Sequence, residues 1–141
     1  MTVSMRGLCP LLQVFDMPTS LRFYRDVLGF TVAGSSGPGD EVGWVLLRQG
    51  ATELMLNTAY DDGERPGAPD PARVAAHGDT GLFIACEDVE AAYAYLVAKG
   101  VEANPPAVVP YGMKQLYVRD PDGYEVCLQW PQRDPRGSSD T

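Results

Sequence analysis

Apolar residues recur along the first half of the chain with spacings that predict a strand, a helix and three further strands. The run LCPLLQV at 8–14 is typical of a strand. Leu21 and Tyr24 belong to an apolar stripe at three- and four-residue spacing, which predicts a helix capped by Asp16 and ended by Gly29. Three short apolar runs separated by glycine-rich turns predict strands at 30–33, 43–48 and 52–57.

The same order restarts after a connection at 58–79, which is rich in proline and glycine and has a short helical turn predicted at 72–76. A strand is predicted at 81–86, and a second amphipathic helix follows from the Asp88 cap to Gly100. Strands are predicted near 115–118 and at 124–130, joined by a DPDG turn at 120–123.

The repeated order predicts an α+β fold of two βαβββ modules. Module one spans 7–57 and module two 80–131, and together they form a single domain over 1–131. A lone module could not cover its sheet, so the two are expected to pack together. The polar residues 132–141 are expected to be a disordered tail.

Charge and cysteine content narrow the possible partners. The formal net charge of −8 disfavours nucleic acid and anionic membranes as partners. Three cysteines without a CxxC spacing indicate neither a disulfide framework nor a zinc knuckle. The chain opens without a signal segment and has no apolar run near the ~18 residues of a membrane span. We therefore expect a reduced, cytoplasmic protein.

Three separated motifs resemble one family. They are VFDMPTSLRFYRDVLGF at 14–30, AAYAYLVAKGV at 91–101 and RDPDGYEV at 119–126. In this order they are similar to the vicinal oxygen chelate superfamily, which contains glyoxalase I, bleomycin-resistance proteins, fosfomycin-resistance enzymes and extradiol dioxygenases. The resemblance covers about residues 7–130. It implies that the mixed sheets form a cup-shaped cavity and that the protein is a homodimer.

The resemblance also implies four positions for metal ligands. Enzymes of the family place histidine, glutamate or glutamine there, whereas this chain has Cys9, Met55, Gly81 (or Thr80, one residue earlier) and Cys127. Hard and borderline divalent ions prefer oxygen and imidazole ligands. We therefore predict no metal and no cofactor, although the three sulfur-bearing residues leave a soft-metal site open.

Strand parity sorts the remaining candidates, because alternate residues of a strand point to opposite faces. The helix-packed face takes Leu12 and Val14, among others. The opposite face, with two flanking loops, gives the predicted ligand-binding residues: Cys9, Gln13, Met55, Asn57, Tyr60, Phe83, Tyr111, Met113, Gln115, Tyr117, Cys127 and Gln129. Buried amides need partners, which a ligand could supply.

Two functions follow from this reading. The first is a metal-independent protein that binds a small organic or aromatic molecule, for sequestration or resistance. The alternative is a lyase, isomerase or dioxygenase-type enzyme acting on a small organic substrate, with Glu53 or Glu125 as the general base. His77, the only histidine, falls in the connection and is expected to be solvated.

Overall fold

The chain divides between Pro69 and Asp70 into two compact units. The structure is a computed structural model that describes residues 2–58, 60 and 63–132. The boundary falls inside the connection that the sequence predicts between its two modules.

The first unit contains one mixed sheet and one helical element. Its elements are β1 (Leu11–Val14), α1 (Met17–Leu21), a π-helical segment (Arg22–Val27), β2 (Thr31–Ser35), β3 (Trp44–Gln49) and β4 (Thr52–Thr58). The strand order is β1-β4-β3-β2, in which β1 and β4 are parallel and the other pairs antiparallel.

The second unit repeats this arrangement. Its elements are α2 (Pro71–His77), β5 (Gly81–Ala85), α3 (Val89–Ala98), β6 (Ala107–Val108), β7 (Met113–Arg119) and β8 (Glu125–Pro131). The order β5-β8-β7-β6 again pairs the first and last strands in parallel. The predicted α+β fold of two βαβββ modules is confirmed, whereas the shared cup and the homodimer stay predictions.

The core of the first unit lies between its helix and its sheet. Leu12 and Val14 of β1 are buried, as are Leu54 and Leu56 of β4. These are the residues that strand parity assigns to the helix side. Tyr24, which is completely buried, adds an aromatic ring from the helical element.

The helix predicted from Asp16 to Gly29 is not one regular α-helix. Asp16 is the cap, but α-helical geometry ends at Leu21 and π-helical geometry follows. Phe23 and Tyr24 are both buried, although neighbours lie about 100° apart around an α-helix. Both rings are buried where the helix has the wider π-helical turn. A search for apolar residues at three- and four-residue spacing cannot detect such a turn.

The first strand begins later than predicted. The expected strand at 8–14 starts at Leu11, and Leu8 is exposed. Pro10 has no N–H to donate to the sheet, although its carbonyl accepts a bond from the Met55 N–H at 2.8 Å. Cys9 therefore precedes β1 instead of belonging to it.

One strand of the second unit has no clear signal in the sequence. β6 consists only of Ala107 and Val108 and directly follows Pro105 and Pro106. Two residues are too few to display alternation, so its pairing with β7 depends on tertiary structure.

Glycines end both helical elements as predicted. Gly29 and Gly100 have φ of 89° and 83°, in the left-handed region that glycine adopts without steric cost. Tyr24 and Tyr95 each lie five residues before the glycine that ends their helix. Tyr24 is buried whereas Tyr95 is half exposed, so the internal repeat does not extend to burial.

The described helices are short; α3, the longest α-helix among them, has 10 residues. Among the described residues, no helix combines the length and apolar character needed to cross a membrane.

Near the C-terminal end of the described residues, Gln132 donates its backbone N–H to the Gly112 carbonyl at 2.7 Å. The rest of the predicted disordered tail, residues 133–141, lies outside the described residues.

Candidate ligand-binding site

The second sheet presents a mixed polar and aromatic surface on the side away from its buried core. Strand register places Phe83 of β5 and Tyr117 of β7 on either side of Cys127 in β8. Two residues along, Gln115 of β7 lies beside Gln129 of β8. We call these five residues the open face of the second sheet.

A hydrogen-bond network centres on the Gln115 side chain, which is only 4% exposed. Its Nε2 donates to Gln129 Oε1 at 2.8 Å and to the Tyr111 hydroxyl at 3.0 Å. The Tyr117 hydroxyl donates to Gln115 Oε1 at 3.1 Å. Both ends of the buried amide are therefore satisfied within the protein.

Two donors at the edge of this network remain free. Within the described part of the chain, neither Gln129 Nε2 nor the Tyr111 hydroxyl proton has an acceptor. Tyr111 is 72% exposed and Gln129 is half-buried. The network thus holds two hydrogen-bond donors where a bound molecule could reach them.

An aromatic pair covers Cys127. The rings of Phe83 and Tyr117 meet edge to face at a centroid distance of 6.1 Å. Cys127 lies between them in the sheet and is completely buried, whereas Phe83 and Tyr117 are both exposed. The sequence-based expectation that Cys127 itself lines a ligand surface is therefore corrected, because larger neighbours on both adjacent strands close over its short side chain.

Burial also controls the protonation of this surface. It raises the pKa of Cys127 above its usual value. It likewise raises the pKa of Tyr117, with a further contribution from Cys127. Since a thiol reacts as its thiolate, Cys127 is a poor nucleophile at neutral pH. The open face of the second sheet is suited to non-covalent binding.

Tyr111 and Met113, both predicted to lie in flanking loops, differ in their local structure. Tyr111 lies in the turn before β7, whereas Met113 is the first residue of β7 and pairs with Pro131. Between them, Gly112 forms the turn that leads into β7. Its φ is 87°, and its N–H donates to the Val109 carbonyl at 2.8 Å. Met113 therefore belongs to the sheet and not to a loop.

The first unit holds the other predicted binding residues. Met55 pairs with Leu11 and Asn57 with Gln13, and Asn57 Nδ2 donates to Gln13 Oε1 at 3.3 Å. Cys9 lies just before this surface, and its pKa is raised by burial and then by the negative charge of Glu53. The predicted set thus falls into two groups, one in each unit.

The two carboxylates predicted as general bases differ in their surroundings. Glu53 forms an ion pair with Arg48 at 2.7 Å, and its side chain is 36% exposed. Glu125 is half-buried opposite Arg119, whose guanidinium instead donates to the Gly123 carbonyl at 2.9 Å. No ion pair holds Glu125 within the described ranges.

The four metal positions implied by the sequence resemblance offer a poor donor set. Cys9 and Met55 lie in the first unit, Gly81 and Cys127 in the second. Burial raises the pKa of both thiols, which opposes formation of the thiolate that binds metals. No cluster of three ligating residues occurs among residues 2–58, 60 and 63–132. The donors present do not fit a hard divalent ion.

His77 is not a freely solvated loop residue. It ends α2, and its Nδ1 lies 2.7 Å from the Asp122 carbonyl oxygen. Its Nε2 lies 3.2 Å from the Tyr124 hydroxyl, and the two rings stack at 4.1 Å. His77 therefore joins the connecting helix to the DPDG turn.

The sequence does not predict a cleft that the structure shows in the first unit. It has a volume of about 630 Å³ and is lined chiefly by residues of three loops: Phe15, Ser36, Pro38, Glu41, Tyr60 and Arg65. Of these, Tyr60 alone is among the predicted binding residues. One available signal is Phe15, a large aromatic residue just where the chain leaves β1 for the Asp16 cap.

The chain therefore contains two successive βαβββ modules, each with one four-stranded mixed sheet. The sequence profile of the Glyoxalase/Bleomycin resistance protein/Dioxygenase superfamily matches residues 8–128. The chain belongs to this superfamily.

Individual relatives extend this result. The chain is 31% identical over 121 residues to YaeR, an uncharacterized protein of Escherichia coli strain K12, covering 80% of this chain and 86% of YaeR. A glyoxalase/bleomycin resistance protein/dioxygenase from Nocardioides has a similar structure, with a TM-score of 0.70, 22% identity, and coverage of 99% of this chain and 93% of its own. TnmS3, an antibiotic binding protein from Streptomyces sp. CB03234, has a TM-score of 0.66, 24% identity, and coverage of 94% and 99%.

Proposed function

We propose that this protein binds a small organic molecule with an aromatic part on the open face of the second sheet. The observation that carries the proposal is the Gln115 network, which fixes a buried amide and leaves two donors free beside exposed aromatic rings. The ligand would accept hydrogen bonds through a carbonyl or ether oxygen and place a ring against Phe83 and Tyr117.

The expected energies are those of ordinary ligand recognition. A well-placed aromatic contact contributes about 0.5–1.5 kcal/mol beyond the area that it buries. Each net hydrogen bond contributes about 0.5–1.5 kcal/mol. Binding therefore depends on several weak contacts acting together, with Gln129 and Tyr111 giving direction and the rings giving most of the buried area.

We propose further that this binding needs no divalent metal. The sulfur-bearing and glycine residues at the four implied ligand positions support this, because they lack the oxygen and imidazole donors of a glyoxalase-type site. TnmS3, described as an antibiotic binding protein, shows that proteins of this fold include binders. Sequestration or a resistance-type role is the corresponding proposal for this chain.

The cellular setting is part of the same proposal. Cys9, Cys86 and Cys127 are all free thiols, which favours a reducing compartment such as the cytoplasm. We also propose a homodimer, in line with the sequence resemblance. Light scattering coupled to gel filtration tests the homodimer directly.

A nuclear magnetic resonance titration tests the binding site. The probe is 1-tetralone, an aromatic ketone, and its control is tetralin, which lacks the acceptor oxygen. In buffer with EDTA, 1-tetralone is expected to shift the side-chain amide signals of Gln115 and Gln129, and tetralin to shift them less. Equal responses to both probes, or none at this sheet, would overturn the proposal.

A matched pair of tyrosine variants sharpens the test. Tyr111→Phe removes one free donor, together with the acceptor of one Gln115 hydrogen bond, while keeping the ring, and it should weaken 1-tetralone binding about two- to tenfold. Tyr95→Phe makes the same change on α3, where the side chain is 45% exposed, and should leave binding unchanged. Equal affinities in the two variants would contradict the assignment of Tyr111.

One observation favours the enzyme alternative. Glu125 lies on the same side of β8 as Cys127 and is half-buried. Within the described residues it has no ion-pair partner, whereas Glu53 is paired with Arg48, so Glu125 is the better candidate for a general base. A substrate acidified by the Gln129 and Tyr111 donors could lose a proton to this carboxylate. Deuterium exchange into bound 1-tetralone, abolished by Glu125→Gln, would establish this activity; its absence leaves binding alone.

A further inference from the structure

The cleft of the first unit has the size and construction of a ligand site. Its volume of about 630 Å³ lies within the range of small-molecule pockets. Described residues from three parts of the chain line it: Phe15 directly after β1, Glu41 in the loop between β2 and β3, and Tyr60 and Arg65 after β4. Its lining shares no residue with the open face of the second sheet.

Aromatic rings form one wall of this cleft. Phe15 and Tyr60 meet edge to face at a centroid distance of 5.8 Å. The Thr58 hydroxyl donates to the Tyr60 carbonyl at 3.2 Å, which fixes the backbone that carries the second ring. The Arg65 guanidinium lies over the Phe15 ring at 5.3 Å, so this wall already holds one cation.

The charges around the cleft are unequal. Arg65 forms an ion pair with Asp16, so its positive charge is already neutralised. Glu41 is exposed and lacks an ion-pair partner within the described residues. Among the described lining residues, the charged ones are Glu41 and Arg65. The unbalanced charge that these residues bring to the cleft is therefore the negative carboxylate of Glu41.

We infer that this cleft is a second binding site, which takes an organic cation carrying an aromatic ring. The ring lies against Phe15 and Tyr60, and the positive charge faces Glu41. An aromatic face and a carboxylate both favour a cation, whereas an anion would have to displace Asp16 from Arg65. This inference does not depend on the site proposed for the second sheet.

The glycines of the cleft provide the means of detection. Gly37, Gly43 and Gly63 line it, and glycine amide signals fall in a separate region of a nitrogen–proton spectrum. Gly81 and Gly112 belong to the second unit, beside its open face. The two groups of signals therefore tell which site a probe occupies.

The test titrates the protein with the N-methylquinolinium cation, its neutral isostere 1-methylnaphthalene and the anion 1-naphthoate. The cation is expected to bind most tightly and to shift Gly37, Gly43 and Gly63. Stronger binding of the neutral or anionic probe, or shifts confined to Gly81 and Gly112, would overturn the inference. The 1-tetralone titration is a separate measurement, so the two proposals can fail independently.

Variants test the two recognition elements. Glu41→Gln should weaken binding of the cation about two- to fivefold, the size expected of an exposed charge pair, and should leave the neutral probe unaffected. Glu102→Gln makes the same change in net charge at an exposed position of the second unit and is the control. Phe15→Leu keeps an apolar side chain but should lose about three- to tenfold. Equal effects of Glu41→Gln and Glu102→Gln would contradict a local role for Glu41.

Discussion

Gln115 Nε2 donates a hydrogen bond to Gln129 Oε1 across β7 and β8, at 2.8 Å. Gln115 is buried and Gln129 is half-buried, so one amide is held by the protein and the other reaches towards solvent. This pair supports the binding account, since a buried amide fixed at both ends can orient its neighbour's free donors.

The network predicts unequal costs for two similar substitutions. Gln115→Leu removes three side-chain hydrogen bonds, to Gln129, Tyr111 and Tyr117, and should lower the free energy of unfolding by about 1–3 kcal/mol. Gln129→Leu removes one of these bonds and should cost less, because Gln115 Nε2 keeps the Tyr111 hydroxyl as an acceptor. Urea unfolding followed by circular dichroism measures both. Equal costs, or a more stable Gln115→Leu protein, would contradict the network.

The DPDG turn predicts a strong effect at Gly123. Its φ is 90°, and a Cβ added there would lie 2.3 Å from the Val74 carbonyl oxygen of α2. Gly123→Ala should therefore lower the free energy of unfolding by about 2 kcal/mol or more. It should also speed hydrogen exchange in α2.

The control for that experiment is Gly39→Ala. Gly39 has a φ of 77° but nothing within 4 Å of an added Cβ. It should show only the backbone cost, about 1 kcal/mol. A similar loss of unfolding free energy in both variants would mean that α2 does not pack against the DPDG turn.

The contacts of His77 predict its neutral tautomer. A carbonyl can only accept, so Nδ1 carries the proton towards Asp122, and Nε2 accepts from the Tyr124 hydroxyl. Long-range nitrogen–proton correlation of the ring at neutral pH should show this Nδ1–H form. Finding the proton on Nε2 instead would exclude the two contacts as described.

Asp16 predicts a dependence of stability on pH. Although burial acts to raise the pKa of Asp16, hydrogen bonds from Thr19 and then the charge of Arg65 lower it below its usual value. A lowered pKa adds stability above the unfolded-state value, about 3.9, and this stability is lost as pH falls through the native value. Asp16→Ala should cost about 1 kcal/mol at pH 7 through the lost cap, and less below about pH 4. A difference that does not change between pH 7 and pH 3 would contradict this role.

Thiol labelling tests the covered position of Cys127. Cys127 is completely buried, whereas Cys9 and Cys86 are partly exposed. Iodoacetamide should label Cys9 and Cys86 first, slowly at neutral pH and faster as pH rises, because burial raises the pKa of all three thiols. Peptide mass spectrometry gives the order of labelling. Early labelling of Cys127 would show that the Phe83–Tyr117 pair does not close over it.

Local sequence pattern predicts much of this fold. Alternation identifies the buried side of β1 and β4 through Leu12 and Leu56, because one face of each strand meets the helix. Gly29 and Gly100 mark the helix ends, because only glycine adopts positive φ freely. Both signals are local, and both are confirmed.

Contacts between residues that are distant in the sequence cannot be predicted from local pattern. Parity assigns Cys127 to the open side but cannot show that Phe83 and Tyr117 flank it, since that requires strand register. The Gln115–Gln129 pair has the same origin. The cleft around Phe15 depends on loops from three parts of the chain, for which periodicity carries no information.

The central claim is that the open face of the second sheet binds an organic ligand without a divalent ion. Calorimetric titration of 1-tetralone into EDTA-treated protein, repeated with Ni²⁺, Zn²⁺ or Mn²⁺ added, tests it most directly. We expect the same Kd in every titration. Binding that appears only after one equivalent of a divalent ion is added would contradict the account.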